Sequence, residues 1–334
     1  MIMKKVFVTG GDGFIGSHLV ECLIKEGYEV TALAQYNSFG SFGWLDHISS
    51  SSANNLKLVL GDVRDENFIR VVTKGMDAVI HLAALIGIPY SYTAPSSYVE
   101  TNISGTLNIL QAALDNDCSQ VLSTSTSEVY GTAQTVPINE KHPLVGQSPY
   151  SATKIAADQL AISFNKSFGL PVTIIRPFNT YGPRQSERAV IPTIIRQIMS
   201  KKSHLDLGIT QTTRDFNYVS DTVSGFLAAL DKDLAGGEVI NICSNFEVSI
   251  EQTAKMIAQI MGSKIEFNLD KKRIRPEASE VCRLFGDNSL AKKNLGWQPK
   301  YADLDGFQKG LEKTVDWFVN NEHHYAGKCQ EHII

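Results

Sequence analysis

The sequence predicts a doubly wound α/β fold: a parallel β-sheet covered by helices on both faces, joined to a smaller, mainly helical lobe. Three observations predict it. Short apolar runs alternate with helical patterns through the first 176 of 334 residues, the rhythm of βαβ units. A glycine-rich turn, TGGDGFIG, stands between the first apolar run and the first helical pattern. Beyond Arg176 the rhythm gives way to a loop rich in Pro and Gly, RPFNTYGPRQ, and then to further helical patterns.

The strand candidates in order are residues 5–9, 29–33, 56–60, 78–82, 120–125 and 172–176. Long amphipathic patterns at 96–114 and 150–168 supply two of the connecting helices. After the break, helices are expected at 190–200, 220–230, 250–261 and 304–320, and residues 239–243 read as one more buried strand. The expected organisation is a dinucleotide-binding domain over 1–176 with return segments near 219–245. A substrate-binding lobe then takes 177–218 and 246–322, and a polar tail takes 323–334. Ser49–Ser52 reads as a short polar loop.

Composition narrows the function. With 43% hydrophobic and 20% charged residues and a net charge of -4, the chain is globular and has no basic field to hold a nucleic-acid backbone. No apolar run reaches the length of a membrane span. The N-terminus enters the strand pattern Val6-Phe7-Val8 almost at once, without the regions of a secretion signal, so a cytoplasmic location is expected. Five cysteines, Cys22, Cys118, Cys243, Cys282 and Cys329, are odd in number and share no CxxC spacing. They read as free thiols, with no disulfide and no metal.

The glycine turn is the first functional signal. Its glycines fit GxGxxG through Gly11, Gly13 and Gly16, and GxxGxxG through Gly10, Gly13 and Gly16. Residues without side chains allow a tight turn, bring backbone N–H groups of Phe14 and Ile15 toward a pyrophosphate and let the helix pack closely. With a strand before it and a helix after, this is a Rossmann dinucleotide site. The second strand should then end in an acid to grip the adenosine ribose, yet Leu33 is followed by Ala34, Gln35 and Tyr36. NAD is the expected cofactor, with NADP left open. After the third strand, Asp62 beside Val63 is placed to accept from the adenine amino group, or alternatively to cap the next helix.

Pro149-Tyr150-Ser151-Ala152-Thr153-Lys154 opens a helix with Tyr150 and Lys154 at i and i+4, on one face. An ammonium beside a phenol favours phenolate and pulls it toward the range of a general base. Together with TGGDGFIG, the HLAA of His81 to Ala84, STSEVYG after the fifth strand and RPFNTYGPR after the sixth, this pairing resembles the extended short-chain dehydrogenase/reductases. Within that family the chain looks like the enzymes that modify nucleotide-linked sugars. The resemblance implies that Tyr150 takes a proton from the sugar 4-hydroxyl and that Lys154 holds the nicotinamide ribose. Leu82, Ala83 and Ala84 are implied cofactor contacts.

The resemblance also aligns Thr126, Ser127 and Glu128 with a catalytic triplet, Thr126 beside O4 and Glu128 as the base at C5. Once C4 is a ketone the C5 proton is acidic; a carboxylate removes it, water leaves from C6, and hydride return yields a 4-keto-6-deoxy sugar. Ser127 stands where many dTDP-glucose dehydratases have Asp, so Glu128 is expected to serve as base and as acid. The leading expectation is therefore a nucleotide-sugar 4,6-dehydratase. Glu128 counts against a 4-epimerase, which needs no base at C5. A UDP-glucuronate decarboxylase shares the triplet, but SPYSATK is more like the dehydratases. A non-catalytic dinucleotide sensor is disfavoured because Tyr150, Lys154 and the triplet are all present.

The same resemblance makes Arg214, in TTRDFNYVSD, and Arg275, in RIRPEASEV, grips for the substrate diphosphate, with Asn179 as a further polar contact and Arg188 a weaker candidate. IGIPYSY and RIRPEASEV are similar to the N-acetylglucosamine nucleotide 4,6-dehydratases of the legionaminic-acid type, which implies a UDP- or GDP-linked N-acetylglucosamine substrate. Relatives pair the 96–114 and 150–168 helices across a four-helix interface, which implies a homodimer.

Overall fold

Val6 and Val8 point into one hydrophobic cluster and Phe7, between them, into another, as alternating side chains of a strand covered on both faces must. The same division recurs in Ala78 and Ile80 against Val79, and in Leu122 against Val121. In the computed structural model, which describes residues 4–48, 54–201, 204–232, 234 and 236–324, these runs are the centre of a seven-stranded parallel sheet. Its strands are β1 (Lys5–Thr9), β2 (Glu29–Gln35), β3 (Leu56–Gly61), β4 (Ala78–His81), β5 (Gln120–Thr124), β6 (Val172–Pro177) and, after three strands of the lobe, β10 (Val239–Ile242). They lie in the order β10-β6-β5-β4-β1-β2-β3. The expected doubly wound sheet is therefore present. The order reverses between β4 and β1, so the ligand crevice opens above the carboxyl ends of those two strands.

Helix α1 (Phe14–Lys25) covers one face through Leu19, Val20 and Leu23. Helix α2 (Glu66–Val72) covers the other through Ile69. Two short helices, α3 (Ile88–Thr93) and α4 (Pro95–Tyr98), lead through a π-helical stretch, Val99–Ser104, into α5 (Gly105–Asp115). The long α6 (Pro149–Phe168) lies beside α5 and completes the second face with Ala161 and Phe164.

The remaining elements of the C-terminal region, called the lobe, lie outside the seven-stranded sheet: β7 (Asn179–Tyr181), α7 (Val190–Met199), β8 (His204–Leu207), β9 (Thr213–Tyr218), β11 (Glu247–Ser249), α9 (Ile250–Ile260), β12 (Glu266–Leu269), α10 (Ser289–Leu295) and α11 (Asp303–Asn320). Between β9 and β10, helix α8 (Val219–Leu230) returns to the main sheet and packs its Val223 and Phe226 on the face that α1 covers. The lobe also holds two small sheets, β11-β9-β7 and β12-β8, that the sequence pattern did not predict. The strands of these sheets are short, and β12 is exposed along its whole length, so no alternation survives to be read.

Glu322–His324 forms a final turn in which the His324 ring meets Trp44 at 5.4 Å. The rest of the expected tail, the loop at Ser49–Ser52 and Cys329 lie outside the described residues. Among the described residues no helix is long and apolar enough to cross a membrane.

Candidate active site

The glycine turn leaves β1 beside the residues that follow the carboxyl end of β4. Gly10 has φ +67, and a Cβ there would stand 2.8 Å from the Ala83 nitrogen; a Cβ on Gly16 would overlap the Gly10 carbonyl oxygen. Those two glycines are required by the chain itself. Gly13 is different: its φ of -81 suits any residue, and the nearest atom to an added Cβ is the Gly10 oxygen at 3.4 Å. Neither backbone nor packing demands glycine at 13, so the space it leaves fits a ligand approaching the N-terminus of α1. That N-terminus has no side-chain cap and no carboxylate in its first turn, which suits a pyrophosphate.

The turn is tied to the HLAA segment by hydrogen bonds. Thr9 Oγ1 accepts from the Leu82 and Ala83 N–H groups at 3.1 Å each, so its own proton goes to His81 Nδ1 at 2.8 Å. His81 then carries its proton on Nε2, toward Thr106 Oγ1 at 3.1 Å, and burial pushes its pKa down to about 3. Ala84, half-buried, continues the exit from β4. Asn102, placed by the π-helical stretch, holds the next residue: it accepts from Leu85 N–H and donates to Leu85 C=O, both at 2.9 Å, and donates to Thr153 Oγ1 at 3.1 Å.

Past β3, Val63 is buried and its carbonyl accepts from Asn108 at 3.0 Å. The Asp62 carboxylate takes the Arg64 backbone N–H at 2.9 Å and its guanidinium at 2.6 Å, which holds the acid below the usual carboxylate range. The helix cap is Asp65, which accepts from Phe68 N–H at 3.0 Å. Asp62 therefore does not cap α2.

At the end of β5 the chain turns through Ser127–Tyr130, with Thr126 Oγ1 accepting from Glu128 N–H at 3.2 Å. Gly131, at φ +64, closes this turn where a Cβ would press on Val145 and Gln147. Thr126 and Glu128 are half-buried, while Ser127 is 2% exposed. The Thr126 hydroxyl reaches the Tyr150 phenol, and the Glu128 charge acts on Tyr150 and on Arg214 alike. Glu128 is thus near enough to both the phenol and the guanidinium for its charge to act on each.

Helix α6 starts with a capping box between Ser148 and Ser151, with Pro149 at its first position, and that fixes where Tyr150 enters the site. The Lys154 ammonium is buried and donates to Thr124 C=O at 2.7 Å. The expectation that Lys154 lowers the phenol is corrected here. Burial raises Tyr150 well above the ordinary phenol value, the Thr126 hydrogen bond opposes it and the charge of Glu128 adds to it, while the Lys154 ammonium bonds Thr124 C=O and not the phenol. Spacing at i and i+4 shares a face; it does not decide which way a long side chain reaches.

On the lobe side, Arg214 of β9 is buried. It donates to Thr213 C=O at 2.8 Å and to Glu280 at 3.3 Å, and burial lowers its pKa. The field of Arg275 also reaches it. Arg275 Nη1, Asn179 Oδ1 and Thr124 Oγ1 are buried with no hydrogen-bond partner among the described residues. Unpaired groups of this kind are costly unless a ligand completes them. Arg188 is exposed; its charge reaches Tyr98, whose ring meets Tyr150 edge-on at 6.3 Å between centroids.

Sequence reasoning missed three groups. Thr124 was read as strand interior but ends β5 with a partnerless hydroxyl. Asn102 lay within a helical pattern. Asp158, one turn beyond Lys154 on α6, is buried in an ion pair with Arg176 at 2.9 Å, accepts from Ser125 Oγ at 2.9 Å, and acts on Lys154. An acid four residues after the lysine was the signal available for it. Tyr130, at the end of the Ser127–Tyr130 turn, is fully buried and donates to Asn241 Oδ1 at 2.7 Å.

With this geometry established, the comparisons are specific. Residues 7–314 match the family described as GDP-mannose 4,6 dehydratase. The dTDP-D-glucose 4,6-dehydratase of Homo sapiens is 31% identical over 96% of this chain and 92% of its own. A UDP-N-acetyl-alpha-D-glucosaminuronate decarboxylase of Bacillus cytotoxicus is 34% identical over 94% of this chain and 98% of its own. Among solved structures, the dTDP-glucose 4,6-dehydratase DesIV of Streptomyces venezuelae, with NAD and TYD bound, superposes with a TM-score of 0.85 at 28% identity over 96% of this chain and 98% of that one. The crevice, the triplet turn and the Tyr-Lys helix lie in a chain that belongs to the GDP-mannose 4,6 dehydratase family, the extended short-chain dehydrogenase/reductases that include nucleotide-sugar dehydratases, decarboxylases and epimerases.

Proposed function

We propose that the chain is an NAD-dependent nucleotide-sugar 4,6-dehydratase acting on UDP- or GDP-linked N-acetylglucosamine. The observation that carries this is Glu128, a half-buried carboxylate whose charge acts on both the Tyr150 phenol and the Arg214 guanidinium. An oxidation at C4 needs no such group; an elimination across C5 and C6 does.

Gly10, Gly13 and Gly16, with the N–H groups of Phe14 and Ile15, hold the cofactor pyrophosphate, and Asp62, Val63 and the Leu82 to Ala84 segment flank it. Lys154 holds the nicotinamide ribose. NAD, held there, would supply the hydride acceptor for C4 and the hydride donor for C6, the return at C6 being matched by a proton taken up at C5, and its positive charge would favour the phenolate. Tyr150 takes the O4 proton while Thr126 hydrogen-bonds O4. Glu128 then removes the C5 proton and passes a proton to the departing C6 hydroxyl, which leaves as water; Ser127 has no proton acidic enough for that step. Arg214, Arg275 and Asn179 grip the diphosphate, with Arg188 at the rim. The exposed Val99 and Leu107 on the π–α5 segment and Phe168 on α6 support a homodimer through these helices.

The test is product mass after incubating purified protein with UDP- and GDP-N-acetylglucosamine, GDP-mannose, dTDP-glucose and UDP-glucuronate. Loss of water from an N-acetylglucosamine nucleotide is the expected result. Loss of carbon dioxide, or an unchanged mass with inverted sugar stereochemistry, would replace this reading with the decarboxylase or the epimerase.

A further inference from the structure

The end of β2 lacks the acid that the adenosine ribose of a dinucleotide calls for: Ala34 is fully buried and is followed by Gln35 and Tyr36. A carboxylate nevertheless stands there. Asp12, in the glycine turn, accepts from Gln35 N–H at 3.3 Å. The segment after β2 is folded onto it: Trp44 N–H donates to the Asp12 carbonyl at 3.3 Å, and a Cβ on Gly43, at φ +60, would lie 3.1 Å from Asp12 Cβ.

That segment is itself braced. Asn37 donates to Ser41 C=O at 2.8 Å, and Asp46 accepts from Phe42 N–H at 2.8 Å. Among the described residues no side chain donates a hydrogen bond to Asp12 and none forms an ion pair with it. The sequence contains no Lys or Arg between Lys25 and Lys57.

We propose that Asp12 takes the place of the missing β2 acid: its carboxylate binds the 2′- and 3′-hydroxyls of the cofactor's adenosine ribose and selects NAD over NADP. This rests on the dinucleotide-binding reading above. A vicinal diol offers two O–H donors to a carboxylate that has only acceptors. A 2′-phosphate at the same place brings negative charge against Asp12, with no cation from the β2 segment to offset it.

The experiment measures calorimetric binding of NAD, NADP and the 2′-deoxyadenosine analogue of NAD to nucleotide-free protein, for the parent chain, Asp12→Ala and Asp12→Asn. Thermal melting checks the fold of each, and Asp12→Asn keeps an acceptor for Gln35 N–H should the alanine variant unfold. The parent is expected to bind NAD about tenfold or more tighter than NADP or the deoxy analogue. Asp12→Ala is expected to lose roughly 10- to 100-fold for NAD and little for the analogue, the range of a hydrogen bond to a charged group. Asp12→Asn is expected to narrow the NAD to NADP ratio. Unchanged NAD affinity in both variants overturns the proposal, as does an equal loss for NAD and the analogue, which would mean that Asp12 only shapes the turn. A parent chain that binds neither dinucleotide would instead sink the dinucleotide-binding reading.

Discussion

Glu128→Gln separates oxidation from elimination. The variant keeps the shape of the side chain and removes its proton chemistry. Within the triplet no second acid is available, since Ser127 occupies its middle, and Glu280 is paired with Arg214 at 3.3 Å. General acid–base catalysis by a positioned group contributes about 10²- to 10⁴-fold, and Glu128 serves both at C5 and at C6. The upper end applies, about 10⁴-fold in the dehydration rate, or roughly 5 kcal/mol of barrier. Substrate affinity should change by no more than a few fold, since Arg214 keeps its bonds to Thr213 and Glu280. The charge of Glu128 raises the Tyr150 phenol, so its removal lowers the pKa of the base. The rising limb of the pH profile for cofactor reduction then moves to lower pH. Stopped-flow absorbance of the reduced nicotinamide follows the first step, mass spectrometry follows water loss, and solvent deuterium at C5 follows the elimination. Parent-like dehydration or deuterium incorporation by the variant would refute this assignment.

Three further outcomes are expected. Arg275→Ala should raise KM about 10- to 100-fold with the melting temperature unchanged, because its Nη1 has no partner among the described residues to lose; steady-state kinetics and calorimetry check both. Gly13→Ala should fold normally yet weaken dinucleotide binding by about tenfold or more, whereas Gly16→Ala should lower the melting temperature outright, since its Cβ meets backbone. For His81, the folded-state pKa is depressed to about 3 from 6.5, so the neutral form belongs to the native state. Its contribution is fully present above the unfolded value near 6.5 and is lost as pH falls from there toward 3, at up to about 1.4 kcal/mol per pH unit. Melting temperature between pH 7 and pH 5 should fall less steeply in His81→Gln than in the parent.

The parallel sheet was legible because its strands are short apolar runs whose flanks carry turn residues, and both signals are local. The glycine turn and the Tyr-Lys helix were legible for the same reason, each being a few consecutive residues with fixed geometry. The small sheets of the lobe were not, since β7 and β11 are three-residue pieces whose pairing with β9 depends on the whole fold. Thr124 and Asn102 escaped because a strand end and a helix interior look like structure until their neighbours are known.

The sequence by itself determined the fold class, the order of its elements and the chemistry available at each strand end, because periodicity and turn residues act over a few positions. Tertiary structure alone decided direction and partnership. It bonded Lys154 to Thr124 C=O instead of the phenol, brought the charge of Glu128 within reach of Tyr150 and Arg214, and placed Asp12 at the end of a strand that has no acid of its own. Those groups lie far apart in the chain, and only packing fixes which way a side chain points and which charges share a buried space.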